Sequence, residues 1–169
     1  MNRKEFLQTS LYSGSGMLLL PGLLSAQNKP EPPPQLKAEL VKEFVGAGHN
    51  NLNRVKEMLL DYPNLIYGRY DHGKGDFEEA IEGAGHVGDK DIANFLIEQG
   101  ARVNLFVLTM LGKTELVKPV LEAYPKLVFA KGAHGFTLLH HAQRGEEDAL
   151  AMLEYLQQKG LKETRIKLN

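Results

Sequence analysis

The sequence contains no cysteine and no tryptophan, and all of its serines (Ser10, Ser13, Ser15 and Ser25) fall within the first 27 residues. Without cysteine there is no disulfide, no thiolate nucleophile, no thiolate metal site and no lipid-bearing cysteine. With neither serine nor cysteine beyond residue 27, the common covalent hydrolase arrangements are closed to the rest of the chain. An excess of charge of one sign is also missing. The formal net charge is -1, which gives no broad attraction to nucleic acid or to an anionic membrane. No long hydrophobic run is present either: the apolar stretch from Leu11 to Leu24 is broken by Gly14, Gly16 and Pro21, so no transmembrane span is expected.

What remains is an ordinary soluble composition, 43% hydrophobic and 24% charged in 169 residues, enough for one domain. Residues 1–27 run from a basic start (Arg3, Lys4) through the mildly apolar stretch to the small residues Ser25 and Ala26. That order is the order of an export signal. Arg3, Phe6 and Leu7 resemble the bacterial twin-arginine motif, with Lys4 in place of the second arginine. The general secretory route is the alternative, and either implies a periplasmic or secreted bacterial protein. Residues 28–36 carry Pro30, Pro32, Pro33 and Pro34 and read as an extended linker, because proline fixes its φ and lacks a donor.

The remainder, 37–169, repeats itself. Val55–Gly73 (VKEMLLDYPNLIYGRYDHG) and Val117–Gly135 (VKPVLEAYPKLVFAKGAHG) align without a gap at an offset of 62, identical at 8 of 19 positions, His72/His134 and Gly73/Gly135 among them. A unit of that length accommodates two helical hairpins. Apolar residues at helical spacing, such as Ile92, Phe95 and Leu96, predict outer helices near 51–61, 89–99, 113–123 and 146–159. Shorter inner helices are predicted near 37–48, 77–86, 105–111 and 137–143. Acidic residues at helix starts and glycines just past helix ends agree with this reading.

Gly135-Phe136-Thr137-Leu138-Leu139-His140-His141-Ala142 resembles the G-x-T-P-L-H-x-A signature of the ankyrin repeat family, with Leu138 for proline. Gly100-Ala101-Arg102-Val103-Asn104 resembles its closing G-A-D-V-N, and Gly112-Lys113-Thr114-Glu115-Leu116 resembles the start of its second helix. The resemblance implies an all-α solenoid of about four helix-turn-helix repeats, near 37–70, 71–104, 105–131 and 132–164. It implies structural roles for Gly135, Thr137, His140, Ala142, Gly145, Gly88, Gly112 and Gly100, with His140 hydrogen-bonding within and between turns. The second repeat departs most. Gly75-Asp76-Phe77-Glu78-Glu79-Ala80 lacks the threonine and histidine, and its turn is about five residues longer than in the fourth repeat.

Histidine is the only side chain whose unperturbed pKa suits a general base near neutrality. The six are His49, His72, His86, His134, His140 and His141. His49 and His86 fall near the ends of inner helices in adjacent repeats, so a metal ladder along one face is one reading. No H-x-x-x-H or similar local spacing accompanies it, and the expectation is no metal and no cofactor. Glu78-Glu79 and Glu146-Glu147 are adjacent pairs, which point apart on a helix and are expected to be solvated first-turn acids.

In the family, the concave face and turn tips bind other proteins. The expected partner-binding positions are Tyr70, His72, Lys74, Phe77, His86, Arg102, His134, Phe136, His141, Gln143 and Arg144. Of these, the altered turn Tyr70–Phe77 is the expected centre of specificity, whereas Phe77, together with Phe106, Met110 and Leu111, is expected to fill the stack. The leading expectation is therefore an exported, monomeric, non-catalytic protein-binding module with no catalytic residues. Two alternatives stay open: a metal-dependent or hydrolytic enzyme using concave-face histidines, and a structural repeat protein without a strong partner.

Overall fold

A computed structural model describes residues 33–168. The expected export signal and the first part of the proline linker lie outside the described residues. Gln35–Asn169 form one compact unit. Its helices in chain order are α1 (Ala38–Ala47), α2 (Leu52–Asp61), α3 (Ala80–Val87), α4 (Lys90–Glu98), α5 (Leu105–Met110), α6 (Thr114–Ala123), α7 (Leu138–Arg144) and α8 (Leu150–Gln158). The strands β1 (Arg69–Asp71) and β2 (Phe77–Glu79) form one antiparallel pair. The described residues are thus mostly helical with little strand, and no helix among them is long and apolar enough to cross a membrane.

The helices pair as hairpins, α1 with α2, α3 with α4, α5 with α6 and α7 with α8. The inner helices α1, α3, α5 and α7 lie side by side in sequence order, and the outer helices contact their neighbours as α2 with α4 and α6 with α8. Their starts follow from side-chain acceptors that satisfy otherwise unpaired first-turn amides. Asn51 caps α2, Asp89 caps α4, Asn104 caps α5 and Thr137 caps α7.

The internal repeat reproduces backbone geometry. α2 and α6 are offset by the same 62 residues, and each ends at a tyrosine with nearly the same dihedrals, Tyr62 (φ -136°, ψ 76°) and Tyr124 (φ -130°, ψ 74°). Each is followed by a 3-10 turn, Pro63–Tyr67 and Pro125–Phe129. The apolar interior divides the same way. One buried cluster includes Phe44, Val55, Leu65, Ile92 and Met110; the other includes Val117, Leu121, Leu138, Met152 and Leu156. Each large side chain taken fully out of water contributes about 1.5–3 kcal/mol.

Two expected helix starts differ. Residues 77–79, expected to open an inner helix, are extended in β2, paired with β1 in the register Arg69↔Glu79, Tyr70↔Glu78, Asp71↔Phe77. The reversal at Gly73-Lys74-Gly75 runs through three positive φ angles, and the Asp71 carboxylate accepts the amides of Gly73 and Gly75. Extended backbone is what lets the chain return to the start of α3. Residues 146–149, expected as the first turn of the last outer helix, form a 3-10 turn before α8. Phe77 is also not stack filling: it is 46% exposed, whereas Met110 and Leu111 are buried.

The last segment folds back over the fourth hairpin. The Thr137 amide donates to the Thr164 carbonyl and the Ile166 amide to the Gly135 carbonyl. Gly135 has φ 76°, and a β-carbon there would run into the Ile166 carbonyl, so both backbone conformation and close approach require glycine.

Candidate metal centre

β2 delivers Glu78 to the interior, and it is fully buried. An ionised carboxylate without water is costly unless paired. Four histidines from three hairpins converge on it. Glu78 Oε1 lies 3.4 Å from His49 Nε2 and 3.3 Å from His86 Nδ1. Glu78 Oε2 lies 2.8 Å from His72 Nε2 and 3.4 Å from His134 Nε2. One ligand atom each from His49, Glu78, His86 and His134 fall within 4.8 Å of one another. Despite this crowd, Glu78 Oε1 and His86 Nδ1 are buried with no hydrogen-bond partner among the described residues. Such orphaned polar atoms are uncommon in folded proteins.

Local structure explains each ligand's aim. His49 follows α1, and its Nδ1–H donates to the Val45 carbonyl at 3.1 Å, which turns Nε2 toward Glu78. Gly83 in α3 makes room for that ring, since a β-carbon there would sit 2.9 Å from His49 Cε1 and Nδ1. His86 occupies the last turn of α3. His134 has φ 57°, a left-handed backbone unusual for a residue with a side chain. Asp76 holds it there: Asp76 Oδ1 accepts the His134 amide and Oδ2 accepts His134 Nδ1–H, both at 2.8 Å. His134 Nε2 thereby faces Glu78, 3.4 Å from Oε2.

Burial alone would push the Glu78 carboxyl up, but the surrounding rings of His49, His86 and His134 together outweigh it and hold the group below the usual carboxylate range. Glu78 in turn raises His49. Burial pushes His86 down to about 4, so its ring is neutral near neutrality. The side chains of His49, His72 and His134 are 27%, 32% and 21% exposed, so one side of the cluster meets solvent.

The sequence-predicted residues divide into those the fold brings together and those it does not. His72, His86 and His134, expected on a partner surface, all face Glu78, and His86 is buried rather than displayed. Phe136 stacks on His140 with ring centroids 4.1 Å apart. His140 Nε2–H donates to the His86 carbonyl at 2.8 Å, which ties α7 to α3. His141, expected to face outward, is buried with its ring beside that of Phe106, centroids 5.2 Å apart, and its Nδ1–H donates to the Thr137 carbonyl. Lys74, Arg102, Gln143 and Arg144 are exposed, and Tyr70 is half-buried with its ring edge-on to His72, centroids 4.9 Å apart.

Sequence reasoning missed Glu78 and Asp76. Glu78-Glu79 are not solvated first-turn acids; both are buried, because residues 77–79 are strand and not helix. Glu79 is the N-cap of α3, the place Thr137 holds in α7, and its amide donates to Glu82 Oε2. Glu78 therefore stands where Phe136 stands in the fourth hairpin. A carboxylate at an apolar position of a repeat was the available signal.

No protein-family model, no curated protein and no solved structure matches this chain.

Proposed function

We propose that this chain is an ankyrin-like helical array that holds a divalent transition metal on Glu78, His49, His86 and His134. The observation that carries the reading is the orphaned Glu78 Oε1, fully buried and within 3.4 Å of two imidazole nitrogens. For metal–ligand bonds of about 2.05 Å, tetrahedral geometry separates ligand atoms by about 3.3 Å. The His49–Oε1 and His86–Oε1 distances of 3.4 and 3.3 Å match that edge, and His134 Nε2 lies 3.4 Å from the other carboxylate oxygen. Imidazole with carboxylate suits zinc, iron, copper or nickel better than magnesium or calcium. Val45 and Asp76, each accepting the far N–H of a ligand ring, supply the outer contacts such sites use.

The ankyrin-like reading is supported by the hairpin succession, the Thr137 cap and the His140 bond between inner helices. The exported location rests on the sequence of residues 1–27 and would place the centre outside the cytoplasm. Protein binding is a second reading, favoured by the exposed side chains of Lys74, Arg102, Gln143 and Arg144.

The test is elemental analysis of the full chain purified without chelator, followed by cobalt(II) titration. A stoichiometric ion and visible absorption bands are expected, both lost in Glu78→Gln. A wild-type chain that takes up no ion would overturn the reading.

A further inference from the structure

The four imidazoles are not spread evenly around Glu78; the two carboxylate oxygens divide them into pairs. Oε1 faces His49 and His86, at 3.4 and 3.3 Å. Oε2 faces His72 and His134, at 2.8 and 3.4 Å. The rings are paired in the same way, with centroids 4.8 Å apart for His49 and His86 and 4.7 Å for His72 and His134. Across the pairs, the His86 and His134 rings are further apart, at 5.4 Å. His72 is also the one histidine at Glu78 whose ring nitrogen does not belong to the tight four-atom ligand group.

We propose that Glu78 bridges two divalent transition metal ions, one held by His49, His86 and Oε1, the other by His72, His134 and Oε2. This rests on the metal-centre reading above and extends it from one ion to two. With a single ion bound, His134 closes on it with the other three groups; with a second, His134 pairs with His72. Each ion then has three protein ligands, the number that leaves coordination positions for water or substrate. A carboxylate with one oxygen on each ion holds them at the separation typical of two-metal sites, about 3.5–4 Å. The shorter His72–Glu78 contact of 2.8 Å is a hydrogen bond between Nε2 and Oε2, which the second ion would replace.

The surroundings fit two open-sided ions. Two divalent charges exceed what Glu78 and Asp76 supply together, so full occupation needs a hydroxide or an oxyanion between the ions. Solvent reaches the second pair through His72 and His134. A cavity of about 350 Å³ lies against His134 and Asp76, and Arg165 and Lys167 on its wall favour an anion there.

The experiment loads the full chain with excess zinc(II), removes the unbound metal by gel filtration and measures zinc per chain. Two are expected for wild type and one for His72→Ala, with circular dichroism confirming that the variant is folded. The His72 ring is 32% exposed but hydrogen-bonds the buried Glu78 Oε2, so the circular dichroism control is part of the test. If wild type retains a single zinc, or His72→Ala still retains two, the bridged pair is wrong while the single centre stands. If wild type retains none, the single-centre reading fails as well.

Discussion

Asp76 grips His134 twice. One carboxylate oxygen accepts the backbone amide and the other accepts Nδ1–H, each at 2.8 Å, across 58 residues of sequence. The first bond stabilises a left-handed backbone; the second fixes which ring nitrogen faces Glu78. Burial would raise the Asp76 carboxyl, but the His134 bonds overcome it and hold the group below its ordinary range.

Asp76→Asn keeps one oxygen for the His134 amide and loses the acceptor for Nδ1–H. Outer-contact substitutions of this kind weaken metal binding about 10–100-fold. Competition against a chelator of known affinity measures it. Unchanged affinity in a folded variant would show that the ring needs no orientation from Asp76.

Gly83→Ala separates helix propensity from site geometry. Alanine in a helix interior is worth about 0.5–1 kcal/mol over glycine. Here the new methyl meets the His49 ring at 2.9 Å. The expected outcome is little net change in thermal stability but weaker metal binding, because His49 must turn away. Metal affinity equal to wild type would contradict the placement of His49.

His141 makes stability depend on pH. Burial pushes its pKa from 6.5 down to about 3, so the folded ring stays neutral where the unfolded ring takes a proton. The unfolded state then binds more protons, and stability rises with pH. The contribution is complete above about 6.5 and falls away toward about 3, at a slope of about 1.4 kcal/mol per unit. Urea denaturation between about pH 6 and 4 is expected to show a shallower loss for His141→Leu than for wild type. Parallel curves would mean the ring is not buried neutral.

His140→Ala removes the donor to the His86 carbonyl and the ring stacked on Phe136. Leaving a shielded carbonyl unpaired costs about 1–3 kcal/mol. A lowered melting temperature is expected, with metal stoichiometry unchanged because the His86 ring itself is untouched. A loss of stoichiometry would place His140 in the centre rather than beside it.

Much of the scaffold was legible in the chain. The offset of 62 between Val55 and Val117 carried over into matching helices and matching Tyr62 and Tyr124 turns, since both depend on residues close in sequence. Helix ends at Asn51, Asp89 and Asn104 were legible for the same reason: a cap acts on amides two or three residues away. The strand at 77–79 was not, because Glu78-Glu79-Ala80 has helical composition and only pairing with Arg69–Asp71 holds it extended.

The candidate site divides along the same line. The sequence by itself determined which chemistry is absent, cysteine and serine chemistry in the domain, and that histidines recur near hairpin ends. Only the tertiary structure decided that His49, His72, His86 and His134 share one carboxylate. Those ligands come from three hairpins, and no local spacing records a contact between residues as far apart as His49 and His134. Burial made the difference: stacking the hairpins excludes water from Glu78, and a carboxylate without water must find its partners from whatever elements the fold brings to it.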